Sequence, residues 1–112
     1  MTRVLFLCSR NRLRSPTAER VFADYPGIEC TSAGLNHDAE TPLTADLVAW
    51  AELIFVMEKA HLAKLRTRFK RHLRHQRVIC LDVPDRYEFM EPALVELLKR
   101  KVERFLSLRH HV

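Results

Sequence analysis

The chain has 112 residues, with 19 Lys and Arg against 14 Asp and Glu, a net charge of +5. That length supports a single domain, residues 1–112, with a core that needs no disulfide or metal staple. An apolar share of 47% with 29% charged residues excludes a disordered chain. Three scattered cysteines, Cys8, Cys30 and Cys80, exclude a disulfide framework, and two glycines, Gly27 and Gly34, exclude Gly-rich nucleotide fingerprints.

Apolar runs such as Leu53 to Met57 are too short to cross a membrane, and Val4 to Cys8 is too short for a secretory leader. A cytoplasmic location without a membrane partner is therefore expected. Arg3 to Leu7 reads as a buried strand, apolar on both faces. Ser15-Pro16 then reads as an N-cap and first helical position, opening a helix with Ala18, Val21 and Phe22 on one face, which ends before Pro26-Gly27. Ile28 to Ala33 is a second strand, stopped by Gly34. Pro42 to Ala51 fits a helix capped by Thr41, with Leu43, Leu47 and Trp50 inward. Leu53 to Met57 is the clearest strand. Lys59 to about Leu73 sets Leu62, Leu65, Phe69 and Leu73 on one helical stripe. Val78 to Val83 is a fourth strand, and Pro92 opens a terminal helix with Leu94, Leu98, Val102 and Phe105 inward. Strands alternating with helices predict an α/β fold: a three-layer parallel sheet with helices on both faces. Function in such sheets lies beyond the carboxyl ends of the strands.

The loop after the first strand, Cys8-Ser9-Arg10-Asn11-Arg12-Leu13-Arg14-Ser15, is a C-x5-R-S motif between a strand and a helix. Five intervening residues can curl so that the amides of Ser9, Arg10, Asn11, Arg12 and Leu13 face inward. The helix start adds its own N–H groups and positive dipole end. The result is a cradle for a tetrahedral dianion. Arg14 would grip two phosphate oxygens as a fork, and a thiolate at Cys8 beneath the phosphate is poised for in-line attack. Ser15 would hydrogen-bond the sulfur when it becomes the leaving group. The alternative is a small buried cysteine beside an ordinary helix cap.

These residues resemble the low-molecular-weight protein tyrosine phosphatase family, whose loop reads C-x-G-N-x-C-R-S-P before its first helix. Cys8, Asn11, Arg14, Ser15 and Pro16 match, followed by Thr17-Ala18-Glu19; Thr31-Ser32-Ala33-Gly34 and the LIFVM strand followed by Glu58 and His61 are similar too. The resemblance covers nearly the whole chain. It implies a four-stranded parallel sheet of order 2-1-3-4, a phosphocysteine intermediate with no cofactor or metal, and a phosphorylated substrate, protein or small molecule. It also implies that Asn11 fixes the loop through hydrogen bonds to neighbouring backbone.

Protonating the leaving oxygen needs a carboxyl group, and the segment after the fourth strand offers Asp82 and Asp85. The family pattern D-P-Y places Asp85 as the acid, with Tyr87 in register; Asp82 would then be a structural carboxylate at the strand end. By the same likeness Tyr87 lines the pocket, whereas its plainer role is a half-buried turn aromatic. Arg86 stands where the family has proline. Arg10 stands where the family has glycine, which strains the loop by about 1 kcal/mol if that position has positive φ. Leu13 replaces the family's second loop cysteine, so the local disulfide cannot form, and Cys30 and Cys80 are expected in the core. The aryl-stacking residue after Gly34 has no counterpart among Leu35, Asn36 and His37. A pocket with added Arg10 and Arg12 and without that aromatic points to a more anionic substrate, such as a nucleotide, a cyclic phosphate or an RNA end.

The charge is uneven: residues 1–56 hold 5 Lys and Arg against 7 acids, and residues 57–112 hold 14 against 7. Arg66 to Arg77 reads either as a nucleic-acid footprint or as a solvated face whose long side chains shield the apolar stripe. His110 and His111 sit at the terminus, and the six histidines show no metal-ligand spacing. The leading expectation is a cysteine-dependent phosphomonoesterase, monomeric or weakly dimeric. Its rivals are an arsenate reductase, for which Cys30 and Cys80 are badly placed, and a non-catalytic phosphate- or nucleic-acid-binding module.

Overall fold

The computed structural model describes the backbone of residues 1–110 and the side chains of residues 1–106. The His110-His111 pair lies outside the described side chains. Strands β1 (Thr2–Cys8), β2 (Ile28–Gly34), β3 (Leu53–Val56) and β4 (Arg77–Cys80) alternate with helices α1 (Arg14–Phe22), α2 (Ala45–Trp50), α3 (Lys59–Phe69) and α4 (Pro92–His110). A 3-10 turn over Lys70–His72 follows α3. The strands form one sheet of order β2-β1-β3-β4, and every pairing is parallel. No helix among the described residues is long and apolar enough to cross a membrane.

Continuous apolar strands are what a sheet covered on both faces requires. Alternation along each strand sends its side chains to opposite sides. Val4, Phe6, Leu53 and Phe55 pack with Phe22 of α1 and with Leu94, Leu98, Val102 and Leu106 of α4. Phe6 stacks between Phe22 at 5.8 Å and Phe55 at 5.5 Å between ring centroids. Leu5, Leu7, Ile54 and Val56 pack on the other side with Val48 of α2 and with Leu65 and Phe69 of α3. Cys30 and Cys80 lie half-buried on β2 and β4, and all three cysteines are free thiols.

Several element boundaries differ from expectation. Ser15 is not an N-cap: α1 begins at Arg14, Leu13 occupies the cap without a side-chain bond, and the Ser15 hydroxyl turns to Cys8. Pro16 is thus the third helical residue, where a missing N–H still costs nothing. The second helix is capped by Thr44 rather than Thr41. Gly34 N donates to Thr41 O and Leu43 N to Gly34 O, both at 2.8 Å, so the chain through Pro42 stays extended beside β2. The fourth strand stops at Cys80, because Asp82 takes a left-handed φ of 54°. Helix α3 ends at Phe69 and tightens into the 3-10 turn before Leu73.

In the basic run the Arg68 guanidinium lies over Phe69 at 5.3 Å, and that of Arg77 over Phe105 at 5.6 Å. Phe105 itself is only half-buried, and Leu106 fills the inner position of α4.

Candidate active site

The carboxyl end of β1 delivers Cys8 to the base of a cavity of about 410 Å³, lined by Cys8, Ser9, Arg10, Arg12, Leu13, Arg14, Asn36 and Asp85. The sulfur is held from two directions: Asn11 N donates to it at 3.3 Å, and Ser15 Oγ lies 2.9 Å away. Asn11 Nδ2 donates to both Ser15 Oγ and Ser32 Oγ at 2.9 Å, and Ser32 Oγ donates to Glu19 Oε1 at 2.6 Å. With its oxygen already accepting from Asn11, the Ser15 hydroxyl has two acceptors for its proton, Sγ at 2.9 Å and the more distant Ala33 O at 3.5 Å.

This buried network holds Asn11 at φ 57°, in the left-handed region that Asn tolerates best among non-glycine residues. It runs through side chains, where the resemblance implied bonds to backbone. Arg10 does not have positive φ, so the loop absorbs the loss of the family's glycine without the strain considered above. Among the described residues, the amides of Ser9, Arg10, Arg12 and Leu13 have no protein acceptor, which suits them to an anion.

Arg14 is only 3% exposed at its side chain. Its Nη1 donates to Glu58 Oε2 at 2.6 Å and to Val83 O at 2.7 Å. That anchors one terminal nitrogen and leaves Nε and Nη2 as a fork. Asp85 Oδ1 lies 3.7 Å from Nε, with its side chain 62% exposed at the cavity mouth. Asp82 lines separate surface depressions with Lys101 and with Glu58. Tyr87 packs half-buried against the α1–α4 core, with Arg86 over its ring at 5.7 Å, and is not among the cavity residues. Arg12 pairs with Glu40 at 3.4 Å, but both are exposed and the pair contributes little.

The resemblance includes Glu58 and His61 without assigning them roles. Glu58 N donates to His61 Nδ1 at 3.0 Å, the return half of a capping box, a pairing that the E-x-x-H spacing after an apolar strand signals. The ring proton therefore sits on Nε2 and is donated to Ser9 Oγ at 2.9 Å, bracing the loop from α3. Burial and the nearby Arg14 guanidinium push the His61 pKa down to about 4, against the opposing pull of Glu58 and Asp85. Burial lifts the Cys30 thiol to about 11, with Glu19 adding to the effect. Among the described residues, no group of three His, Cys, Asp or Glu side chains could hold a metal ion.

No family model matches the sequence, and no curated protein matches it. Solved structures do. The YwlE arginine phosphatase from Geobacillus stearothermophilus superposes with a TM-score of 0.77 at 20% identity, covering 99% of this chain and 97% of that one. A low molecular weight phosphotyrosine phosphatase from Vibrio cholerae O395 gives 0.80 at 17% identity, covering 98% and 97%. The fold is that of the low-molecular-weight phosphatases. A third example of that phosphatase fold is the tyrosine phosphatase Wzb from Escherichia coli K30, at a TM-score of 0.74 and 22% identity, covering 92% and 94%. These matches cover 92% or more of this chain, so the shared fold extends over nearly its whole length.

Proposed function

We propose that this chain is a divergent member of the low-molecular-weight protein tyrosine phosphatases and hydrolyses a phosphate monoester through a phosphocysteine. The observation that carries the reading is the convergence, in one cavity, of Cys8, the anchored Arg14 fork, the loop residues Ser9, Arg10, Arg12 and Leu13, and Asp85. In the first step the Cys8 thiolate attacks phosphorus, forming a P–S bond as the ester P–O bond breaks. Asp85 gives its proton to the departing oxygen. Arg14 and the loop amides stabilise the charge on the equatorial oxygens. In the second step Asp85 takes a proton from water, whose oxygen attacks phosphorus. The P–S bond breaks, Cys8 leaves as thiolate, and the Ser15 hydroxyl stabilises it.

The substrate is a phosphorylated protein or small molecule. Asn36 stands at the mouth where Arg10 and Arg12 add positive charge, which favours acidic groups beside the phosphate. The intermediate gives the direct test. Enzyme denatured during turnover of p-nitrophenyl phosphate should carry one phosphoryl group on a peptide containing Cys8. An unmodified Cys8 peptide under steady-state turnover of an Asp85→Asn variant, in which water is activated poorly, would refute the covalent route.

A further inference from the structure

We propose that Lys101 is a positioning residue for Asp85: from α4, its ammonium clamps the backbone at the point where the acid-bearing loop leaves the sheet. The inference rests on reading Asp85 as the proton donor. Leu81 N and Val83 N donate to Val56 O and Met57 O, both at 2.8 Å, so the chain still follows β3 after β4 ends. Between them Asp82 is held at φ 54°, a conformation that costs a non-glycine residue about 1 kcal/mol or more.

Lys101 Nζ donates to Leu81 O at 2.7 Å and reaches Asp82 O at 3.4 Å, which are the carbonyls on either side of that strained Cα. The Asp82 carboxylate does not take the ammonium; it accepts from Cys80 Sγ at 3.5 Å. The next carbonyl, Val83 O, is the one that anchors Arg14, and Asp85 follows two residues later. Asp85 is mostly exposed, and its one ion pair among the described residues is the 3.7 Å approach to Arg14. Its carboxyl is therefore placed by the loop backbone rather than by contacts of its own. That backbone is pinned at its start by Lys101 and near its end by Met90 N, which donates to Thr17 Oγ1 at 3.0 Å. A charge-assisted bond to two carbonyls is a strong pin, and small displacements of an acid are costly in rate.

The test compares kcat/KM for phenyl phosphate, whose leaving group needs a proton, with that for p-nitrophenyl phosphate, whose leaving group needs it less. Lys101→Met should lower the phenyl phosphate value about tenfold more than the other. In an Asp85→Asn background the same substitution should change the ratio no further, because it acts through a group already disabled. Lys101→Arg should restore most of the ratio. Should the Met variant fail to fold, Lys101→Gln keeps a polar side chain but shortens the stem and loses the ammonium, and should shift the ratio in the same direction. An equal loss on both substrates, or an effect on the ratio that persists in full without Asp85, would overturn the positioning role. A ratio that Asp85→Asn itself leaves unchanged would instead remove the acid assignment, and the inference with it.

Discussion

Arg14 commits one terminal nitrogen to Glu58 and Val83 O, which turns a flexible cation into a fixed fork. Lysine at this position supplies a single point charge; with both anchors bonded it has one N–H left and cannot present a fork to phosphate. Arg14→Lys is expected to lower kcat/KM about a hundredfold or more, with the far-ultraviolet circular dichroism unchanged. Ser15 should act later in the cycle. Ser15→Ala removes the hydroxyl beside Sγ, so breakdown of the phosphocysteine should slow by about tenfold or more. Stopped-flow release of p-nitrophenol should then keep its initial burst but show a steady-state phase slower than that of wild type. At this scale the sequence was most legible where chemistry demands one residue type, as at Cys8 and Arg14. It was least legible where partners come from distant segments: Ser32 reaches Asn11 across 21 positions, and Glu58 reaches Arg14 across 44.

Among the elements, the strands were readable because a sheet buried on both faces writes itself as unbroken apolar runs. The caps were not. Two threonines, Thr41 and Thr44, compete to start α2, and the choice is made by bonds from Gly34 that keep the chain extended through Pro42. Gly34 is required there for closeness rather than for positive φ. A Cβ on it would sit 2.4 Å from Ala39 Cβ and 2.8 Å from Ser9 O. Gly34→Ala should therefore cost about 1–3 kcal/mol in chemical denaturation and weaken inhibition by phosphate, because Ser9 belongs to the loop being displaced. Unaltered stability would mean that the segment after β2 moves freely.

For the molecule as a whole, the +5 charge says less than its placement: the arginines at the cavity lie in the acidic half of the chain, where a bulk count hides them. Stability should report the buried His61. Its folded pKa of about 4 lies below the value near 6.5 expected unfolded, so the unfolded chain binds the extra proton between those limits. Stability is fully present above about pH 6.5 and is lost as pH falls toward 4, by roughly 3 kcal/mol for this group. Urea denaturation at pH 7 and pH 4.5 should show the drop, and His61→Gln should shrink it; an equal drop in the variant would assign the loss to other groups. The central claim is that Cys8 forms a covalent bond to phosphorus. Its most direct test is hydrolysis of p-nitrophenyl phosphate by wild type and Cys8→Ser, with vanadate as competitor. The expected result is turnover by wild type that vanadate blocks competitively, and a loss of about a thousandfold or more in Cys8→Ser. Activity that survives the substitution would contradict the account.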